Sequence, residues 1–239
     1  MKRKKIVKTT ITEEIIETPN YGEKTQIVCL LDRSGSMSAI INDAIGGFNE
    51  FIAEQKKLSD EATLTVAIFD TQYDLVYNNV NIKEVEKITR DTWSPRGMTA
   101  LYDAIGKTIN DVKNIHAEMK KKNRPDKVLF CVVTDGYENA SQEYDNNAIR
   151  KMIKDCEKND WSFIYLAANQ DAFDVGTSFG ISGGNTYNFM ATADGASKMS
   201  MTLNNASVSY RSMSTGDVDF ATKTSTLMDD VGVKSDEEN

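Results

Sequence analysis

Short apolar runs alternate with stretches of helical periodicity along most of the chain, and this alternation limits the fold more than any other feature. Residues 25–31 and 127–133 are almost continuously apolar, as expected of strands that are buried on both faces. Between them, apolar residues recur at helical spacing, for example at Leu101, Ile105 and Val112. Strands that alternate with helices indicate a doubly wound α/β fold, with a mostly parallel sheet and helices on both faces.

One short connection sets the direction of one strand. Residues 62–69 and 73–77 both have strand character, and only Asp70-Thr71-Gln72 lies between them. Three residues are too few for a parallel crossover, so these strands should pair antiparallel at one edge. The predicted architecture is therefore a Rossmann-like sheet of six strands, five of them parallel. The strands are predicted at residues 25–31, 62–69, 73–77, 127–133, 162–167 and 186–190.

The two ends of the chain lack this alternation. Residues 1–24 are polar with scattered apolar positions, which is typical of an N-terminal arm or an edge strand. Residues 25–213 carry the alternation and are predicted to form one domain. From residue 214 the periodicity is lost, and the chain ends in Ser-Asp-Glu-Glu-Asn. We therefore predict an acidic, flexible tail over residues 214–239.

Composition excludes several classes of partner. The formal net charge of −8 argues against nucleic-acid binding, which usually needs a basic face. No apolar stretch approaches the roughly 18 residues of a membrane span, so no membrane association is expected. The basic start, residues 1–5, is not followed by the apolar region of a signal peptide. Cys29, Cys131 and Cys156 have no metal-type spacing and fit core thiols in a reducing cytoplasm.

Oxygen-bearing side chains follow the predicted central strands. Asp32, Ser34 and Ser36 come after the first strand, Thr99 precedes the long helix, and Asp135 follows the strand at 127–133. Open parallel sheets bind ligands outside the carboxyl ends of their strands, so these side chains should meet there. A set of oxygen ligands without histidine or cysteine suits a hard cation such as Mg²⁺.

Together these motifs resemble the metal-ion-dependent adhesion site of von Willebrand factor A domains. The matching elements are Asp-x-Ser-x-Ser, a Thr that opens the long helix, and Thr-Asp-Gly. The resemblance covers about residues 25–213. It implies that the hydroxyls of Ser34, Ser36 and Thr99 bind the metal directly, and that Asp32 and Asp135 act mostly through coordinated water. The implied cofactor is Mg²⁺, with Mn²⁺ or Ca²⁺ as alternatives. Without a cysteine pair or a signal peptide, the chain is most similar to intracellular prokaryotic or phage-type members.

The resemblance also implies a function without catalysis. A domain of this kind would bind a partner protein through an exposed Asp or Glu, whose carboxylate completes the coordination of the metal. Residues beside the motifs are expected to contact that partner, namely Arg33, Met37, Met98 and Tyr137. The partner itself and the oligomeric state are left open by the sequence.

Other interpretations of these residues stay open at this point. Asp32 with the two serines can form a turn that caps a helix, and Thr99 can be a helix N-cap. A metal-dependent hydrolase or phosphotransferase would use the same aspartates and serines. Two observations argue against such an enzyme. His116 is the only histidine and lies on the long helix, and no phosphate-binding glycine loop is present. The third alternative is an inert fold with a vestigial metal site that binds through its N-terminal arm.

Overall fold

The computed structural model describes residues 22–229 and confirms the predicted alternation of strands and helices. Six strands are present: β1 (Thr25–Asp32), β2 (Ala62–Phe69), β3 (Tyr73–Asn81), β4 (Lys127–Thr134), β5 (Trp161–Ala167) and β6 (Thr186–Asn188). The α-helices are α1 (Ile41–Gln55), α2 (Leu101–Glu118), α3 (Asn146–Glu157), α4 (Ala172–Ser178), α5 (Ala193–Ser212) and α6 (Phe220–Thr224). A 3₁₀ turn at Gly35–Ala39 follows β1 and leads into α1.

The strands form one sheet in the order β3-β2-β1-β4-β5-β6. Every neighbouring pair is parallel except β2 and β3, which are antiparallel as predicted. The tight link between those two strands is closed by Asp70, whose backbone N–H donates to the Gln72 carbonyl at 2.9 Å. The Asp70 carboxylate accepts from the Gln72 N–H at 2.5 Å, which completes a turn that returns the chain at once.

Two hydrophobic clusters lie on opposite faces of the sheet. On β1, Ile27, Cys29 and Leu31 face the cluster beneath α1 and α5, whereas Val28 and Leu30 face the cluster beneath α2 and α3. Each such side chain stabilises the fold by about 1.5–3 kcal/mol when it is fully buried. Burial on both faces explains the continuous apolar runs at residues 27–31 of β1 and 128–133 of β4.

The predicted domain boundary at residue 213 is wrong, because the chain continues into the folded core. Phe220 on α6 is buried, and so are Leu227 and Met228. The Leu227 N–H donates to Asn185 Oδ1 and the Met228 N–H to the Gly184 carbonyl, both at 2.9 Å. These apolar residues are separated by polar ones without a helical or strand period, so the sequence pattern did not show them. Residues 214–229 are therefore part of the domain rather than a flexible tail.

The remaining expectations for the two ends lie outside the described residues. These are the N-terminal arm or edge strand at residues 1–21 and the acidic end at residues 230–239. Between them, over residues 22–229, no helix combines the length and the apolar character needed to cross a bilayer.

Candidate metal centre

The central strands β1 and β4 are neighbours, and this places the two predicted aspartates at the same point of the sheet edge. Leu31 pairs with Val133 in register, so Asp32 at the end of β1 lies close to Asp135, which directly follows β4. After Asp32 the chain turns sharply, and the hydroxyls of Ser34 and Ser36 come within 2.9 Å of each other. The Asp-x-Ser-x-Ser motif and the Thr-Asp-Gly motif are thus brought together as predicted from strand order.

Three hydroxyl oxygens converge on the space beside Gly136. A Cβ atom on that glycine would lie 2.8 Å from Thr99 Oγ1, 3.3 Å from Ser36 Oγ and 3.5 Å from Ser34 Oγ. Any side chain at position 136 would therefore fill the space between these oxygens. An arrangement of neutral oxygen donors around one point fits a hard divalent cation such as Mg²⁺. Across residues 22–229, no group of three or more His, Cys, Asp or Glu offers an alternative metal site.

Asp32 is fully buried beneath the hydroxyls. Its Oδ1 accepts from the Ser34 N–H and its Oδ2 from the Thr134 hydroxyl, each at 2.6 Å. Burial raises the pKa of Asp32 to about 6, and the hydrogen bonds from Thr134 and Ser34 only partly oppose this rise. Burial also raises the pKa of Asp135, whose Oδ1 accepts from the Ser36 hydroxyl at 2.6 Å. Ionising both carboxylates here costs free energy, and a divalent cation beside them offsets that cost.

The structure also decides between the sequence-based interpretations of these residues. The N-cap of α2 is Ala100, and no side chain caps it, so Thr99 is not a helix cap. The N–H groups in the first turn of α2 donate instead to Glu138 and Ser141 from the loop after β4. The Asx-type turn at Asp32 is present, since its carboxylate accepts from the Ser34 N–H, and it exists together with the site.

Three residues that support the site were missed by sequence reasoning. Thr134 donates to Asp32, and Trp93 Nε1 donates to the Asp32 carbonyl at 2.8 Å. Asn139 is bonded to Thr99 at both backbone groups, because its Oδ1 accepts from the Thr99 N–H and its own N–H donates to the Thr99 carbonyl. Thr134 belongs to the Thr-Asp-Gly motif, which was the available signal. Trp93 and Asn139 act across distant parts of the sequence, where no spacing rule applies.

Two of the four predicted partner contacts are wrong. Met37 is fully buried because the 3₁₀ turn directs its side chain into the core beneath α1 and α5. Arg33 is only 5% exposed, and its guanidinium is paired with carboxylates of the β2–β3 turn and β3. Its Nε donates to Asp70 Oδ2 at 3.2 Å, and its Nη2 lies 2.6 Å from Asp74 Oδ2. Neither side chain is available to a partner.

The other two, Met98 and Tyr137, are more than half exposed, so their role in partner binding stays a prediction. Met98 follows Gly97, which has a φ of +67°. A side chain at Gly97 would be strained and would also approach Asp70 to 3.3 Å, so glycine is required there. The Gly97 carbonyl accepts from the Gly35 N–H at 3.2 Å, which holds the loop before α2 against the Asp-x-Ser-x-Ser turn.

No known protein-family pattern matches the sequence, and no curated protein matches it. Solved structures do share its fold. One is proximal thread matrix protein 1 from the mussel byssus, with a TM-score of 0.54 and 14% identity over 77% of this chain and 46% of that one. Another is the pilus adhesin SpaC from Lactobacillus rhamnosus GG, with a TM-score of 0.57 and 13% identity over 76% of this chain and 30% of that one.

A third is the ArnB paralog VWA2 from Sulfolobus acidocaldarius, with a TM-score of 0.51 and 15% identity over 76% of this chain and 44% of that one. The mussel protein has also been solved with zinc in its MIDAS motif, the metal-ion-dependent adhesion site. This chain spans less than half the length of each of these proteins. At such low identity the likeness shows the fold, which is that of a von Willebrand factor A-type, Rossmann-like domain.

Proposed function

We propose, from this von Willebrand factor A-type fold, that the chain is a metal-dependent binding module that captures an acidic residue of a partner protein. The convergence of Ser34, Ser36 and Thr99 on the space beside Gly136 carries the proposal. A divalent cation held there by neutral hydroxyls would keep enough positive charge to bind a partner's carboxylate. Mg²⁺ is the expected ion, and the zinc-occupied motif of the mussel protein supports a divalent metal in general.

The chain's own residues prepare the site for that role. The Ser36 hydroxyl donates to Asp135, and Ser36 Oγ then accepts from the Ser34 hydroxyl at 2.9 Å, which leaves one of its lone pairs available to a cation. Asp32 holds the Ser34 N–H and so sets the direction of the turn that carries both serines. Thr134 and Trp93 in turn hold Asp32 at its side chain and its carbonyl. The aspartates therefore orient the hydroxyls and supply negative charge around the ion.

We propose binding without catalysis, because no histidine among the described residues lies at the site to activate a serine. His116, the only histidine of the sequence, is half-buried on α2, and its Nε2 lies 2.5 Å from Gln26 Oε1. Gln26 is at the amino end of β1, six residues or about 20 Å from Asp32. Burial also lowers the pKa of His116 to about 4. A serine–histidine pair with Ser34 or Ser36 is therefore not formed.

The remaining parts of this proposal concern the cellular compartment, the type of family member and the kind of partner. We propose a cytoplasmic protein similar to intracellular prokaryotic or phage-type members of the family. Cys29, Cys131 and Cys156 are buried free thiols, which suits a reducing compartment. The proposed partner is a protein with an exposed Asp or Glu.

Capture from host lysate tests the proposal. The immobilised full chain is incubated with lysate in Mg²⁺ or in EDTA, and retained proteins are identified by mass spectrometry. We expect a partner that is retained in Mg²⁺, released by EDTA and lost from Asp32→Ala. The matched control is Met201→Ala, an exposed position on α5, which should retain the partner. Retention that survives both EDTA and Asp32→Ala would refute the metal bridge, and turnover of generic phosphoesters in Mg²⁺ would favour the hydrolase instead.

A further inference from the structure

A cleft of about 570 Å³ adjoins the metal site at the carboxyl edge of the sheet. Its walls come from three loops: Tyr137 after β4, residues 169–171 after β5, and residues 188–191 at and after the end of β6. Two hydrogen bonds join the cleft to residues 135–136 of the candidate metal site, the segment called here the metal loop. Asn169 Nδ2 donates to the Asp135 carbonyl at 3.3 Å, and Gln170 Nε2 donates to the Gly136 carbonyl at 3.2 Å. A residue bound beside Gly136 would therefore have its chain neighbours next to this cleft.

Gln170 lines this cleft and carries an acceptor oxygen that nothing in the described part of the chain uses. Its side chain is only 9% exposed, and its Nε2 is occupied by the Gly136 carbonyl and by the Tyr165 hydroxyl, both at 3.2 Å. Its Oε1 is buried and accepts no hydrogen bond from residues 22–229. Buried acceptors in folded proteins are nearly always paired with a protein group or an ordered water, so this oxygen needs a donor, which an N–H of a ligand would supply.

The other residues that line the cleft indicate which side chains the ligand has. Tyr137 and Met190 both line the cleft and are 59% and 47% exposed, which gives it an adaptable apolar surface. The one carboxylate, Asp171, is engaged in capping α4, where its Oδ1 accepts from two backbone N–H groups. No Lys or Arg lines the cleft. It therefore suits an apolar side chain with amide donors and not a second acidic residue.

We propose that this cleft binds the peptide segment next to the metal-bound acidic residue of the partner. An apolar side chain within about three residues of the Asp or Glu would pack on Tyr137 and Met190, since each residue of extended chain covers about 3.3 Å. An amide N–H of the same segment would donate to Gln170 Oε1. The inference rests on the proposed function, because the metal fixes where the acidic residue lies. The metal accepts any accessible carboxylate, and the cleft selects among partners.

An array of immobilised peptides with one fixed Glu and varied neighbours tests this selection. The full chain is applied in Mg²⁺ and in EDTA. We expect Mg²⁺-dependent binding that is about tenfold stronger for peptides with Met, Leu or Phe near the Glu than for peptides with Ser or Asp there. Met190→Ser and Gln170→Ala should each reduce that preference to about twofold. Met201→Ser, equally exposed but on α5, should leave it unchanged.

The outcomes separate the cleft from the metal bridge. Mg²⁺-dependent binding with no preference for apolar neighbours, or a preference that Met190→Ser leaves intact, would overturn the cleft and leave the proposed function standing. A preference that persists in EDTA and is lost in Met190→Ser would support the cleft and refute the metal bridge. Absence of binding in both conditions would overturn both. Because Gln170 also bonds to the metal loop, Mn²⁺ affinity is measured for each variant, and Met190→Ser serves as the variant that does not contact that loop.

Discussion

The two edges of the sheet both bury charged groups, but the carboxylates of the candidate metal site at the carboxyl edge lack the oppositely charged partners found at the amino-terminal edge. There, Arg211 is almost fully buried and forms two hydrogen bonds to the Asp60 carboxylate, at 2.8 and 2.9 Å. Lys127 Nζ lies 3.6 Å from Glu23 Oε2 and donates to carbonyls at the end of α5. At the carboxyl edge, Asp32 and Asp135 are bonded only to hydroxyl and N–H groups.

The pKa values of Glu23 and Asp32 differ as well, mainly because Asp32 is fully buried and Glu23 only partly buried. Burial raises the pKa of Glu23, but hydrogen bonds from Thr215 and Ser214 more than offset it, so the pKa is lowered. The pKa of Asp32 is raised by burial to about 6 despite its hydrogen bonds. The pairs at the amino-terminal edge are thus complete within the chain, whereas Asp32 and Asp135 would be stabilised by the proposed cation. The four predictions below test that contrast, from the largest expected effect to the smallest.

Arg211→Ala should cause the largest loss of stability, about 3–5 kcal/mol, because it leaves Asp60 without its buried partner. The loss should be the same in Mg²⁺ and in EDTA, since this edge does not use the metal. Chemical denaturation in both conditions measures it. Lys223→Ala is the control, because Lys223 forms an exposed pair with Asp219. A loss that depends on Mg²⁺ would break the proposed separation of the two edges.

Asp32→Asn, unlike Arg211→Ala, should not destabilise the metal-free protein. It removes the buried charge at nearly constant volume, so we expect unchanged or higher stability at pH 7 in EDTA. The metal-induced stabilisation, about 2.7 kcal/mol when Mg²⁺ is at 100 times its Kd, should disappear. Melting with and without Mg²⁺ measures both quantities. If the variant keeps the full metal-induced shift, Asp32 does not belong to the site.

Thr99→Ala should weaken metal binding by about 10–100-fold, equivalent to about 1.4–2.7 kcal/mol, because one of the three proposed hydroxyl ligands is lost. Thr99→Ser keeps the hydroxyl and should bind within a few-fold of the wild type. Calorimetric titration with Mn²⁺ compares the two. Equal affinity for the alanine and serine variants would exclude Thr99 as a ligand, whatever the effect on stability.

The pH dependence should be the smallest effect that can still be measured. Because the pKa of Asp32 is raised from 3.8 to about 6 in the folded state, the metal-free protein should lose stability as pH rises between these values. A metal at the proposed site would bind the ionised form, so its affinity should rise by about tenfold from pH 5 to 7 and level off above. Denaturation and titration across pH 4–8 measure these trends. They should be much weaker in Asp32→Asn, and an unchanged pH profile in that variant would assign the proton to another group.

Much of the fold could be predicted because its signals are local. The apolar runs of β1 and β4 reflect burial on both faces, and the three-residue link at residues 70–72 allows only a hairpin. The motif residues could be predicted as a group, because parallel strands place their carboxyl ends at one edge. The C-terminal segment was missed because Phe220, Leu227 and Met228 are too widely spaced to show a period.

The sequence by itself therefore determined the order of strands and helices, the single antiparallel pair and the set of oxygen-bearing residues. Only the tertiary structure decided which neighbours of those residues face outward. Arg33 and Met37 flank the motif, yet one is held between carboxylates and the other lies in the core, while Gln170, distant in sequence, borders the metal loop. The physical reason is that strand and helix periods depend on adjacent residues, whereas side-chain direction in loops depends on contacts between segments far apart in the chain.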